Sequence, residues 1–185
     1  MSTGTDRKSP LLGARDLAAG GPLPNPAPHT EEELAALVSL LLRKAKHGTG
    51  TVAVGHSRDA ASRAAAGAFA ATWRARGGTV LATVDWPETA ASWLRPATRL
   101  TAEPPDAWVM AAALPGFVQL ARRLRHSTEW DPARTCAFAS LQDPRLPGLA
   151  GPGAVDGLSG ATAEGGTWEV RRHRITVHPP EQVAP

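Results

Sequence analysis

The sequence predicts an open α/β sheet with mostly parallel strands, a three-layer sandwich finished by a closing β-hairpin. Two observations carry this expectation. Between Thr51 and Val170, short apolar runs (TVAV, TVLATV, DAWVMAAA, TCAFAS) alternate with helix-like stretches, the pattern of parallel strands joined by crossover helices. The chain's 185 residues, 42% hydrophobic and 20% charged, suit one domain with a sizeable core plus some tail.

Residues 1–29 are rich in Gly and Pro (AAGGPLPNPAPH) and read as a flexible arm that burial cannot order. Thr30 opens a helix: Thr30 and Glu33 form a capping box, with three glutamates where the helix dipole favours them. Leu34, Leu37, Val38, Leu41 and Leu42 make its apolar stripe. Arg43, Lys44, Lys46 and His47 fill the last turn, and Gly48 stops it. The first strand is Thr51 to Val54, with Gly55-His56-Ser57 as its exit turn. A helix follows from about Arg58 to Arg76, with Ala65, Phe69 and Trp73 on one face. Thr79 to Val84 is the second strand. Asp85-Trp86-Pro87-Glu88 leads to a helix carrying Trp93, Leu94 and Leu100, kinked at Pro96.

The third strand spans Asp106 to Ala112. Pro115-Gly116 turns into a helix with Phe117, Leu120, Ala121 and Leu124 inward, and Thr135 to Ala139 is the fourth strand. Leu141 to Gly153 is loop-like. Val155 to Ala161 reads as a strand, with Thr167–Arg171 and Arg174–Val177 as the hairpin. Residues 179–185 are a tail.

The net charge of +3 is too small to demand a polyanionic partner. Cys136, the single cysteine, excludes an internal disulfide and sits in an apolar run as a buried small hydrophobe. No stretch reaches the roughly 18 apolar residues of a membrane span. The N-terminus lacks the apolar core of a secretory signal, so the expectation from sequence is a cytoplasmic protein that binds neither membrane nor nucleic acid.

The order of pieces is informative beyond fold class. A capped helix leads to GTVAVGHSRDAASRAAAGAFAATWRARGGTVLATVDWP, then PPDAWVMAAALPGFVQLARRLRH, TCAFASLQDPRLPGLAG and GAVDGLSGAT. This resembles the C-terminal lobe of type I periplasmic-binding proteins, the branched-chain amino-acid-binding receptors of ABC transporters. The resemblance covers roughly Thr30 to Thr162 and implies that residues 30–178 form one periplasmic-binding-like α/β domain. It also implies binding of an amino-acid-like ligand. The family traps its ligand between two lobes, and this sequence has no room for the other. His56-Ser57-Arg58-Asp59-Ala60-Ala61 stands where the family has a run of Asp and Gly with an aromatic residue. Ser92-Trp93 stands where it often carries Asp-Phe.

Open α/β sheets bind ligands beyond the carboxyl ends of their strands. The expected ligand-binding residues are therefore His56, Ser57, Arg58, Asp59, Trp86, Glu88, Leu114, Ser140, Gln142 and Asp143. Arg58 and Asp59 are candidates to pair with the carboxylate and ammonium of an amino acid, with a surface ion pair of little worth as the equal alternative. Trp86, in a loop beside Glu88, is a candidate to line the cleft. Trp86, Leu114 and the Leu141–Leu149 loop are expected to expose apolar surface that favours a homodimer or a partner protein supplying the second face.

Gly55-His56-Ser57-Arg58-Asp59 also invites a nucleophile-elbow reading, with Asp143 and His173 or His178 in triad-compatible order. The final glycine of that motif is missing, and capping by Ser57 and Asp59 explains the residues as well. The six histidines show no metal-ligand spacing, the glycine fingerprints of nucleotide folds are absent, and Arg171-Arg172-His173-Arg174 is a short basic turn without interleaved aromatics. No cofactor or metal is expected. The leading function is a non-catalytic small-molecule-binding or sensing module. The runner-up is an interaction or scaffold domain that has lost its ligand, and a Ser57 hydrolase comes third.

Overall fold

The structure is a computed structural model, described over residues 11–44 and 50–180. In chain order its elements are α1 (Ala14–Ala18), α2 (Glu31–Lys44), β1 (Thr51–Ser57), α3 (Ala60–Ala75), β2 (Thr79–Trp86), α4 (Leu94–Leu100), β3 (Ala107–Ala111) and α5 (Leu114–Ser127). There follow β4 (Thr135–Ala137), α6 (Leu146–Ala150), β5 (Ser159–Ala161), β6 (Thr167–Arg171) and β7 (Arg174–His178).

The strands make one seven-stranded sheet in the order β2-β1-β3-β4-β5-β6-β7. β1 to β5 pair in parallel, and β6 and β7 close the sheet antiparallel. Strand side chains alternate between the two faces, and each face carries its own helix layer. Trp108 and Met110 of β3 pack with Phe117, Leu120 and Leu124 of α5 and Leu100 of α4. Val109 and Ala111 pack with Leu37, Val38 and Leu41 of α2 and Phe69 and Trp73 of α3. Only glycine fits at position 55, because two side chains crowd the β1 backbone there: a Cβ would lie 2.8 Å from Trp86 Cζ3 and 2.9 Å from Met110 Sδ.

Several elements depart from the sequence expectation. β1 runs to Ser57, because His56 and Ser57 continue the ladder opposite Asp85 and Trp86. β2 likewise takes in Trp86, which is core rather than loop. Pro96 stands in the first turn of α4, where no backbone N–H is needed, so it begins the helix instead of kinking it. The loop-like stretch after Leu141 contains α6, and β5 keeps only the last three residues of its predicted strand. Lys46, His47 and Gly48 lie outside the described residues.

The largest correction concerns the arm. From Leu11 onward it carries α1 and lies against the domain, with Leu11, Leu12, Leu17 and Leu23 on the core beside α5. Gln119 clamps the arm backbone at both the Leu12 N–H and the Leu12 carbonyl, each at 2.9 Å. Arg145 donates to the Gly20 and Pro22 carbonyls. Averaged composition hides what four spaced leucines and two clamps supply.

At the other end, Arg172 and His173 adopt φ of 46° and 68°. The tight β6–β7 turn requires this left-handed backbone. The basic run is thus an exposed hairpin tip.

Candidate ligand-binding site

Two helix starts, those of α3 and α5, meet at the carboxyl ends of β1 and β3. Asp59 caps α3, its Oδ1 accepting from the Ser62 amide at 2.8 Å. Ser57 is fully buried, at 0% exposure. Its hydroxyl accepts from the Ala113 amide at 2.7 Å, at the start of α5, and bonds the Ser62 hydroxyl at 3.3 Å. Glu88 reaches the same helix start, and its Oε2 accepts from the Gly116 amide at 2.8 Å. Gly116 permits that approach, since a Cβ would lie 2.8 Å from the same oxygen.

Two oxygens are left over. Asp59 Oδ2 and Glu88 Oε1 are both buried without a hydrogen-bond partner. Burial pushes the Glu88 carboxyl up; the Gly116 amide and Ser57 hydroxyl pull it back, and the Asp59 charge adds to the rise, leaving it above the usual range. Burial also pushes Asp59 up, but the Ser62 amide and the Ser62 and Ser57 hydroxyls outweigh it, so its net shift is downward. One carboxylate thus holds its charge beside another that resists charging.

Across the start of α3, at the β3 and β4 exits, lies a cavity of about 220 Å³. Its polar lining is His29, Glu33, Ser62, Ser140, Gln142 and Asp143, and the proline-rich stretch 24–28 forms part of its wall. Glu33, 3% exposed, completes the predicted capping box with Thr30 and also accepts from the Ala139 amide at 2.5 Å. Burial raises its carboxyl, and the Ala139 and Thr30 amides offset part of the rise. Asp143 is held by the Arg145 side chain at 2.9 and 2.7 Å and by the Arg145 amide. The Arg145 guanidinium holds the Asp143 carboxyl below its ordinary value.

The residues expected at the site therefore divide. Ser57, Asp59 and Glu88 meet; Ser140, Gln142 and Asp143 line the neighbouring cavity. His56 is half-buried at the β1 end, its Nδ1 2.8 Å from the Ser57 carbonyl oxygen. Arg58 turns away onto Asp85, Nε to Oδ2 at 2.5 Å. Trp86 and Leu114, expected to be exposed cleft residues, are 0% and 1% exposed; both face the α4–α5 layer, where burial of their apolar area is worth more than contact with water. The apolar surface expected to drive association is thus largely internal.

His29, Glu33 and Ser62 were not expected at the site. Glu33 carries the one available signal: a capping glutamate whose second oxygen is free to bond elsewhere. Among the described residues no group of three or more His, Cys, Asp and Glu is arranged to hold a metal ion. No helix there is long and apolar enough to cross a membrane.

The family model for periplasmic binding proteins matches residues 3–173. The chain belongs to that family. A structure from Rhodospirillum rubrum, assigned to branched-chain amino acid ABC transport, superposes with a TM-score of 0.58 at 22% identity, covering 70% of this chain and 36% of its own. A substrate-binding periplasmic protein from Ralstonia solanacearum gives 0.59 at 21% identity, over 73% and 37%. A solute-binding protein of an ABC transporter from Rhodopseudomonas palustris BisB5, solved with 3,4-dihydroxybenzoic acid, gives 0.55 at 19%, over 70% and 36%. The chain thus spans about a third of the length of these structures, and the likeness is one of fold. No curated protein sequence matches. The family's name points to the periplasm, against the cytoplasmic expectation, which rested on the start of the sequence alone.

Proposed function

We propose that this chain is a non-catalytic binding lobe for a small amino-acid-like ligand of an ABC transporter, with the ligand's ammonium group at Asp59 and Glu88. The observation that carries this reading is the pair of buried carboxylate oxygens without partners. Leaving such acceptors unsatisfied costs about 1–3 kcal/mol each, and an ammonium offers three donors and a compensating charge. Membership of the family and the position at the strand exits support the same reading. The cavity nearby, about 220 Å³, is smaller than the roughly 300–1,000 Å³ usual for ligand pockets. A second lobe, copy or partner protein is therefore proposed to complete the enclosure.

Calorimetric titration with a panel of amino acids and aromatic carboxylic acids tests this. Saturable binding of one or more amino acids is expected, weakened roughly tenfold (about 1.4 kcal/mol) in Glu88→Gln and Asp59→Asn. Binding that is indifferent to both substitutions overturns the placement, and binding confined to acids without an ammonium overturns the ligand class. A second reading, an interaction domain without a ligand, is favoured by the arm, which already lies on this edge. It predicts no binding across the panel. For the hydrolase reading, the Ser57 hydroxyl bonds the Ala113 amide and the Ser62 hydroxyl, and among the described residues no imidazole stands in the place of a general base.

A further inference from the structure

Beyond the end of β2, between the 87–92 segment and α4, lies a separate cavity of about 400 Å³. Its lining is rich in donors. Arg58, Arg95 and Arg99 contribute guanidinium groups and Thr89 and Ser92 hydroxyls, while Asp85 is the single carboxylate. Arg95 and Arg99 stand four residues apart on α4, hence on one helix face. Both are exposed, and neither makes a hydrogen bond or ion pair among the described residues. Arg58 alone is paired, to Asp85.

Three guanidiniums against one carboxylate leave two uncompensated positive charges around one concavity. Trp86, fully buried, lines the same cavity, and its indole N–H has no acceptor. A cavity with surplus donors and surplus positive charge calls for a ligand that is all acceptor and doubly negative. We propose that it is a site for a phosphate dianion, either inorganic phosphate or the phosphomonoester group of a small metabolite.

Guanidinium forks match phosphate oxygens in geometry as well as charge. A second basic concavity, about 430 Å³ around Arg122, Arg125 and His126, is a contrast. There Arg122 already donates to the Leu149 and Ala150 carbonyls, and Arg125 to that of Trp130. Those guanidiniums hold the chain together; Arg95 and Arg99 do not.

The test is an NMR titration of the full chain with inorganic phosphate and with phenyl phosphate, against chloride at matched ionic strength, following the indole N–H and arginine Nε–H resonances. Saturable shifts at Trp86, Arg95 and Arg99 are expected with both phosphates and not with chloride, and affinity should fall at least tenfold in an Arg95→Gln/Arg99→Gln double variant. The two side chains are exposed, so the variant should keep its fold, which its spectrum verifies. Tighter binding of phenyl phosphate identifies a phosphomonoester as the ligand, and equal or weaker binding identifies free phosphate. The proposal is overturned if chloride reproduces the shifts, if the double variant binds as well as the parent, or if the shifts spread equally over Arg122 and Arg125.

Discussion

Two neighbouring stretches of the strand-exit edge handle their polar groups in opposite ways. At the β3 and β4 exits the chain satisfies itself: Asp143 holds Arg145, Arg145 holds the arm carbonyls, Gln119 clamps Leu12, and Glu33 accepts the Ala139 amide. At the β1 and β2 exits groups are left over: Asp59 Oδ2, Glu88 Oε1 and the Trp86 indole N–H, and beside them the open arginines of α4. Paired groups hold a surface in one shape. Unpaired buried groups cost stability, and they are where an added ligand gains most. On the proposed function, the arm-covered stretch gives the edge its shape and one wall of the cavity, and the uncovered stretch holds the ligand's charged group.

The comparison breaks most visibly at Asp143. Asp143→Ala leaves Arg145 without its carboxylate and loosens the arm; with Arg145 partly exposed, the expected loss is about 1–2 kcal/mol by urea denaturation. Hydrogen exchange should accelerate in residues 11–29 and not in β1. Because the folded-state carboxyl titrates below its unfolded value of about 3.9, folding favours its ionised form. The stability it contributes is present above that value and lost as pH falls through the folded one. Parent and variant should therefore converge in acid.

On the uncovered stretch, Asp59→Ala removes the cap of α3 and should cost about 1 kcal/mol. Asp59→Asn keeps an oxygen for the Ser62 amide and should recover most of that stability in thermal melts without recovering ligand affinity. Recovery of both would make Asp59 a cap and nothing more.

The smallest effect has the opposite sign. Glu88 titrates above its ordinary value in the folded chain. The stability linked to its proton is therefore fully present below the unfolded value of about 4.3 and is lost as pH rises through the folded one. Glu88→Gln should stabilise the protein by roughly 0.5 kcal/mol at neutral pH and by little near pH 4, as measured by denaturation at the two pH values. A binding residue that burdens the fold behaves this way; a glutamate whose removal destabilises serves the fold instead, as the groups of the arm-covered stretch do.

The sequence alone determined the alternation of strands and helices, the cap at Thr30, the inward faces of α3 and α5, the burial of Cys136 and the closing hairpin. These follow from periodicity and capping, which are local. It also placed Ser57, Asp59 and Glu88 at one edge, because parallel strands share an exit edge whatever their side chains. Tertiary structure decided the rest. Trp86 and Leu114 became core because β2 extends and α5 covers it, which neither residue's neighbours in sequence reveal. The arm became ordered through Gln119 and Arg145, 107 and more than 120 positions away. Arg58 turned from the Ser57, Asp59 and Glu88 cluster to Asp85 because the two strand ends lie side by side. Which polar groups pair and which are left for a ligand is settled by contacts between distant segments, and a local pattern of residues carries no record of them.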